Sequence, residues 1–115
     1  MPIKVIFHID EMQKWELLLN NVANLLKSFD ETAVKTIEVL ANSEAVKAYA
    51  QDRAGVTFSK MDDLAQKGVR FVACRNALNG LNIAKEQLYP FVDSVPAGVR
   101  ELVDRQLDGY AYIKP

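Results

Sequence analysis

The sequence of 115 residues is half hydrophobic and one quarter charged, which is the composition of a single globular domain with no room for a second core. Its 14 basic and 15 acidic side chains are interspersed and leave a net charge of −1, which argues against nucleic acid as the main ligand. No apolar segment approaches the roughly 20 residues that span a bilayer, so no membrane association is expected.

Rare residues and absent motifs narrow the chemistry further. The single cysteine cannot form an internal disulfide, and the first residues carry no recognisable signal peptide, so a cytoplasmic protein is expected. One histidine and one cysteine argue against a protein-only zinc site, so no metal is expected. No glycine-rich loop typical of dinucleotide or nucleotide binding is present, and no cofactor is therefore predicted.

The amino-terminal part of the chain predicts a strand followed by a helix. Ile3 to Ile9 is an apolar, partly β-branched run that is typical of a strand buried on both faces. Asp10 fits a helix N-cap, and Gln13 can complete a capping box with it. Apolar residues then recur at helical spacing and predict one buried stripe: Trp15, Leu18, Leu19, Val22, Leu26 and Phe29.

The middle of the chain repeats this order. Val34 to Leu40 predicts the second strand, and Asn42 or Ser43 can cap the short helix that follows. A further helical stretch ends at Gly68, a residue suited to the left-handed conformation after a helix. Val69 to Cys74 predicts the third strand.

The carboxyl-terminal part is less regular. Asn76 to Asn82 predicts a loop, and a short helix is expected around Lys85 to Leu88. Phe91 to Val95 predicts a fourth strand, and Tyr110 to Ile113 a fifth. Between them lies a helix that Gly109 closes, with a predicted apolar stripe: Val99, Leu102, Val103 and Leu107. Strands that alternate with helices indicate an α/β domain with a mostly parallel sheet covered on both faces, but the pattern does not give the strand order.

Polar residues cluster where the predicted strands end, which is where open parallel sheets bind ligands. The candidate site residues at these ends are His8, Asp10, Asn42, Cys74, Arg75, Asn76, Pro96 and Gly98. Cys74 is the most reactive of them, because amides of a helical turn beginning after it, together with Arg75, would favour the thiolate. His8 and Asp10 are its natural companions, as base or charge partner. The turn from Pro96 to Gly98 could present backbone amides to an anion.

Each of these residues also has a purely structural interpretation. Free cysteine is often a buried packing residue, and His8 and Asp10 could be a hydrogen-bonded strand residue and a helix cap. The turn at Pro96 could be a simple helix entry. Tyr110 and Tyr112 point to one face of the last strand, where they could line a pocket or a subunit contact.

The segment Gly68-Val69-Arg70-Phe71-Val72-Ala73-Cys74, followed by Arg75-Asn76-Ala77-Leu78-Asn79-Gly80, resembles the DsrE-like (DsrE/DsrF-like) family. The opening strand at Lys4 to His8, the Val95 to Val99 turn and the closing Gly109 to Ile113 strand are similar to its short single-domain members. The resemblance covers nearly the whole chain as one domain, residues 1–115. It implies a three-layer α/β/α sandwich with five strands that assembles into a trimer or hexamer.

The resemblance also implies a role in sulfur transfer, in bacterial sulfur oxidation or in the relay for tRNA thiolation. Cys74 is similar to the cysteine that, in those relatives, receives sulfur as a persulfide and passes it on. Ala77 and Gly80 match the same pattern, whereas Asn79 stands where sulfur-relay members tend to have arginine.

Two functions therefore remain as hypotheses. The first is a sulfur carrier or sulfurtransferase-like protein that exchanges sulfur through Cys74 with a sulfur-donor and a sulfur-acceptor protein. The second is a non-catalytic oligomer that binds a small ligand or a partner protein at the same edge, with Cys74 as packing. A redox sensor that uses Cys74 across a subunit interface is a third possibility.

Overall fold

A computed structural model describes residues 2–51 and 53–115, and its centre is a sheet of five strands. They are β1 (Ile3–Ile9), β2 (Lys35–Ala41), β3 (Arg70–Cys74), β4 (Val92–Val95) and β5 (Ala111–Ile113). Every pair is parallel, and the order across the sheet is β4-β3-β2-β1-β5. The predicted α/β fold class is confirmed.

The helices are distributed unequally over the two faces of this sheet. They are α1 (Trp15–Lys27), α2 (Val56–Gln66), α3 (Arg75–Gly80) and α4 (Gly98–Leu107), with 3₁₀ turns at Met12–Lys14, Ser43–Ala50 and Lys85–Gln87. The first face packs against α1, α2, α3 and the longest 3₁₀ segment in one large apolar cluster. The second face packs against α4 in a small cluster of Ile6, Leu40, Val72 and Leu102.

Chain direction explains this division. From β1 to β4 each step moves the same way across the sheet, and the connections lie on the first face. α4 joins β4 at one edge to β5 at the other edge, beyond β1. A right-handed crossover in this reverse direction must pass over the opposite face. α4 therefore crosses the second face alone, and the direction of the sheet changes at β1.

The predicted helix cap at Asp10 is wrong. The chain forms the 3₁₀ turn Met12–Lys14 before α1, and no side chain caps either segment. The carboxylate of Asp10 accepts a hydrogen bond from Nζ of Lys114 instead, at 3.2 Å. The stretch predicted as a loop from Asn76 to Asn82 is also different, because most of it belongs to α3.

The outward side of α4 is the main departure from the predicted core. Only Leu102 of the predicted stripe is buried, whereas Val99, Val103 and Leu107 are 67%, 51% and 82% exposed. The buried side of the helix carries Glu101 instead, because its partner on the sheet is the buried Glu38. The inner side of α4 thus carries the charged Glu101 beside Leu102, whereas three of its apolar residues face outward.

Candidate functional site

Four polar side chains form a row across the second face, near the carboxyl ends of the strands. Cys74 lies on β3, Asn42 follows β2, His8 lies on β1 and Tyr112 on β5. Ala41 pairs with Ala73, so the next residues, Asn42 and Cys74, stand side by side. We call these four residues, with Gly98 of α4, the sulfur edge.

Cys74 lies under the first residue of α4. The backbone amide of Gly98 donates a hydrogen bond to Sγ of Cys74, with N and S 3.3 Å apart. Cys74 is 7% exposed, so the thiol is largely buried but has a donor directed at it. A Cβ atom at position 98 would lie 3.1 Å from Cβ of Cys74 and 3.4 Å from Cβ of Asn42. The close approach of amide and sulfur therefore requires glycine at this position.

The source of this amide differs from the prediction. The chain was expected to direct amides at the thiol from the turn that begins after Cys74. Cys74 does occupy the N-cap position of α3, but its side chain makes no cap hydrogen bond there. The donor comes from α4, a helix far away in sequence, and the Pro96 to Gly98 turn contributes it through Gly98 alone.

A hydrogen-bonded chain runs from Tyr112 through His8 to Asn42. The Tyr112 hydroxyl lies 2.7 Å from Nδ1 of His8, and Nε2 of His8 lies 3.0 Å from Oδ1 of Asn42. An amide oxygen can only accept, so Nε2 carries the hydrogen and donates it. In the neutral imidazole Nδ1 then accepts from the hydroxyl of Tyr112. The NH₂ group of Asn42 has no hydrogen-bond partner within residues 2–51 and 53–115.

The other candidates lie away from the sulfur edge. Nη2 of Arg75 contacts Oγ of Ser94 at 3.3 Å, beside β4, rather than the thiol. Asn76 is exposed on α3, and Pro96 is exposed before α4. Asp10 pairs with Lys114, as described above. The structure thus brings Cys74, His8, Asn42 and Gly98 together, whereas Asp10 and Arg75 have other hydrogen-bond partners, and Asn76 and Pro96 are exposed.

One groove lies away from the sulfur edge. An open groove of about 620 Å³ lies beside the edge strand β4, and Arg70, Arg75, Lys85 and Asp93 contribute to its lining. Arg70 already pairs with Asp93 there, with Nε and Oδ2 3.2 Å apart. We therefore assign the groove no role in the chemistry of the thiol.

A buried carboxyl pair lies one helical turn below the sulfur edge. Glu38 of β2 is 1% exposed and its Oε1 contacts Nη1 of Arg70 at 3.2 Å. Burial and, after it, the neighbouring Glu101 carboxyl raise the pKa of Glu38 from 4.5 to about 8, with Arg70 partly opposing the shift. Oε2 of Glu38 and Oε2 of Glu101 are both buried without a donor, so a proton between them would satisfy both atoms.

Two parts of this arrangement were missed in the sequence. Glu38 lies between the apolar Ile37 and Val39, with Arg70 directly opposite it in β3, and that pairing signals a buried acid. Tyr112 was predicted to share a face with Tyr110, but its contact with His8 was not predicted. That contact follows from the strand register, because Tyr112 pairs with Ile6, and His8 lies two residues further along β1 on the same face. Both signals depend on the strand order, which the pattern alone did not give.

The described residues contain neither a cluster suited to a metal ion nor a helix suited to a membrane. Within residues 2–51 and 53–115, no three or more His, Cys, Asp and Glu side chains are grouped so that they could hold a metal ion. Within the same residues, no helix has the length and apolar character needed to cross a membrane.

Comparison with known proteins identifies the family. The DsrE/DsrF-like family profile matches residues 4–115. No curated protein matches the chain. The solved structure of MTH1491, a protein of unknown function from Methanobacterium thermoautotrophicum, is 36% identical, with a TM-score of 0.88 over 98% of this chain and 99% of that one.

Two more distant structures share the fold. The ychN protein from E. coli is 16% identical, with a TM-score of 0.75 over 98% of this chain and 99% of its own. BT1422 from Bacteroides thetaiotaomicron, a conserved protein of unknown function, is 14% identical, with a TM-score of 0.73 over 97% and 94%. The fold and the profile match agree, and the chain belongs to the DsrE/DsrF-like family.

Proposed function

We propose that this protein is a sulfur carrier, sulfurtransferase-like in its chemistry, that holds one sulfur atom as a persulfide on Cys74. The observation that carries the proposal is the hydrogen bond from the Gly98 amide to Sγ of Cys74 in a chain of this family. A bond from an amide to an anionic sulfur is stronger than one to a neutral thiol. The amide is also the first of a ten-residue helix, whose amino-terminal end favours negative charge.

The proposed exchange requires no added oxidant or reductant. The Cys74 thiolate attacks the outer sulfur of a donor protein's persulfide, the donor's S–S bond breaks, and the donor leaves as a thiolate with the electron pair. Cys74 then carries the outer sulfur as its own persulfide. In the second half of the exchange an acceptor thiolate attacks that sulfur, and Cys74 is released as the thiolate.

Burial of the thiol is compatible with this role if a partner completes the pocket. Cys74 is 7% exposed, which limits hydrolysis and side reactions of a bound persulfide. We propose that the protein works as a homo-oligomer, a trimer or hexamer, in which a neighbouring copy covers the outer side of α4. The exposed apolar residues Val99, Val103 and Leu107 on that side support the assembly.

Intact-protein mass spectrometry after incubation with glutathione persulfide tests the carrier. We expect an adduct one sulfur atom heavier than the free protein, which dithiothreitol removes. The matched control is Cys74→Ser, which keeps the size of the side chain and lacks the nucleophile. Since the chain has one cysteine, an adduct in the serine variant, or none in the wild type, would contradict the proposal.

The second candidate is a non-catalytic oligomer that binds a ligand or partner at the same edge. The low exposure of Cys74 favours it, since a buried free cysteine is often a packing residue. Under this alternative Cys74→Ser leaves assembly intact, and the wild type takes up no sulfur. The measurement above therefore separates the two functions.

A further inference from the structure

We propose that Tyr112 and His8 are positioning residues, which orient the Asn42 side-chain amide so that its NH₂ group binds the outer sulfur of a Cys74 persulfide. The inference deepens the proposed function and rests on it. It assigns a task to each member of the sulfur edge: Gly98 holds the inner sulfur, and Asn42 holds the outer one.

The chemistry of Tyr112 and Asn42 fixes the direction of the hydrogen bond that each makes with His8. A phenol hydroxyl is a good donor and a poor acceptor, so the short 2.7 Å contact favours donation from Tyr112 to Nδ1 of His8. The imidazole then carries its hydrogen on Nε2, and that hydrogen bonds to Oδ1 of Asn42 at 3.0 Å. With its oxygen held by His8, the amide must present its NH₂ group on the opposite side.

That NH₂ group is too far from the bare thiol and within reach of an added sulfur. Asn42 and Cys74 occupy equivalent positions on neighbouring parallel strands, whose spacing is about 4.8 Å. Sγ of Cys74 accepts from Gly98 and from no other donor among the described residues. A second sulfur bonded to Sγ extends the side chain by about 2 Å, which brings it to hydrogen-bond distance of the side-chain amide that follows β2.

If the hydrogen bonds from Tyr112 through His8 to Asn42 ran in the opposite direction, the Asn42 amide would disfavour a persulfide on Cys74. Without the Tyr112 hydroxyl, the hydrogen bond that fixes Nδ1 of His8 as an acceptor is lost, so the Nδ1–H tautomer gains population. An Nδ1–H tautomer accepts at Nε2, so the amide of Asn42 turns over and its oxygen faces the sulfur. A carbonyl oxygen beside an anionic sulfur is repulsive, and the site would then favour a neutral thiol over a persulfide.

The tautomer of His8 and the reactivity of Cys74 can each be measured without interference from other residues. His8 is the only histidine and Cys74 the only cysteine. ¹⁵N NMR of the imidazole therefore reports the tautomer of His8 alone, and iodoacetamide reports the thiolate of Cys74 alone. The variants are Tyr112→Phe and Asn42→Ala, and the matched control is Tyr110→Phe, which removes a hydroxyl from the same face two residues earlier.

We expect Nε2–H in the wild type and in Tyr110→Phe, and a mixture of tautomers in Tyr112→Phe. The equilibrium yield of persulfide from glutathione persulfide should fall about tenfold in Asn42→Ala and about threefold in Tyr112→Phe. Alkylation of the free thiol should stay within about twofold in all variants, because Asn42 does not contact Sγ. A merely structural role would raise alkylation by loosening the site.

Failure of this inference and failure of the proposed function give different results. A wild type that takes up sulfur, with Asn42→Ala and Tyr112→Phe yielding as much persulfide, overturns the inference and leaves the carrier in place. An Nδ1–H imidazole in the wild type also overturns it. A wild type that takes up no sulfur contradicts the carrier, and the inference with it.

Discussion

Replacement of Glu38 by a side chain that does not titrate should abolish a loss of stability that the wild type shows as the pH rises from about 4.5 to about 8. The pKa of Glu38 is raised from 4.5 to about 8 in the folded protein, mainly by burial and then by Glu101. Between these values the folded chain holds a proton that the unfolded chain releases. Stability from this group is therefore complete below pH 4.5, falls as the pH rises towards about 8, and is constant above it.

The size of the effect follows from the separation of the two pKa values. Each pH unit in this interval costs about 1.4 kcal/mol of unfolding free energy, so the full interval corresponds to roughly 5 kcal/mol. This is an upper limit, because Arg70 is half exposed and can move closer to the ionised carboxylate. We expect a measured loss of about 2 to 3 kcal/mol, a large share of the stability of a small domain.

Glu38→Gln tests this account, because the amide is nearly the same size, does not titrate and can donate to Glu101. Urea unfolding followed by fluorescence of Trp15, the single and buried tryptophan, gives the free energy between about pH 5 and pH 9. The wild-type curve should fall and the variant curve should stay level relative to it. Glu16→Gln, at an exposed glutamate of α1, is the control and should follow the wild type. Parallel curves for the wild type and Glu38→Gln would refute the reasoning.

Three further predictions concern α4, the core and assembly. Gly98→Ala should displace the start of α4, lower the unfolding free energy by about 1 to 3 kcal/mol and speed alkylation of the thiol. The control Gly80→Ala, with open space around it, should have none of these effects, and equal urea midpoints for the two variants would contradict the prediction. Tyr49→Phe removes a buried hydroxyl that lies 3.2 Å and 3.1 Å from carbonyl oxygens of β2 and β3, and it should lower the unfolding free energy in urea by about 1 to 2 kcal/mol. An unchanged midpoint would show that these two hydrogen bonds do not stabilise the fold. Val103→Glu should convert the proposed homo-oligomer to monomers, as measured by light scattering after gel filtration, whereas Val56→Glu, at an exposed valine of α2, should not. A wild type that is already monomeric would exclude the interface.

The strands were predictable because each is a short apolar run with a clear end. β1 has the predicted bounds, and the bounds of the other four differ by one residue at most. The strand order was not predictable, since it depends on how connections pack over the two faces. The cap at Asp10 failed for a related reason: a 3₁₀ turn precedes α1, and the carboxylate pairs with Lys114 from the other end of the chain.

For the site, position along the strands was predictable and orientation was not. The carboxyl ends of parallel strands meet at one edge, so Cys74, Asn42 and His8 were correctly expected near one another. Arg75 follows Cys74 directly but begins α3, which packs on the first face, and its guanidinium lies beside β4. The amide of Gly98 comes from a crossover helix, whose path could not be known before the strand order.

The exposed apolar side of α4 has a mechanical consequence. The helix is short and rigid, its inner side is anchored through Glu101, and its first amide touches sulfur. A molecule that binds Val99 and Val103 on the outside would therefore contact the same helix whose first amide contacts Cys74. A translation of about 1 Å, ordinary for a helix at an interface, would be enough to break or tighten that contact, so under the proposed function a copy bound to the outside of this ten-residue helix would change how firmly Cys74 holds its persulfide.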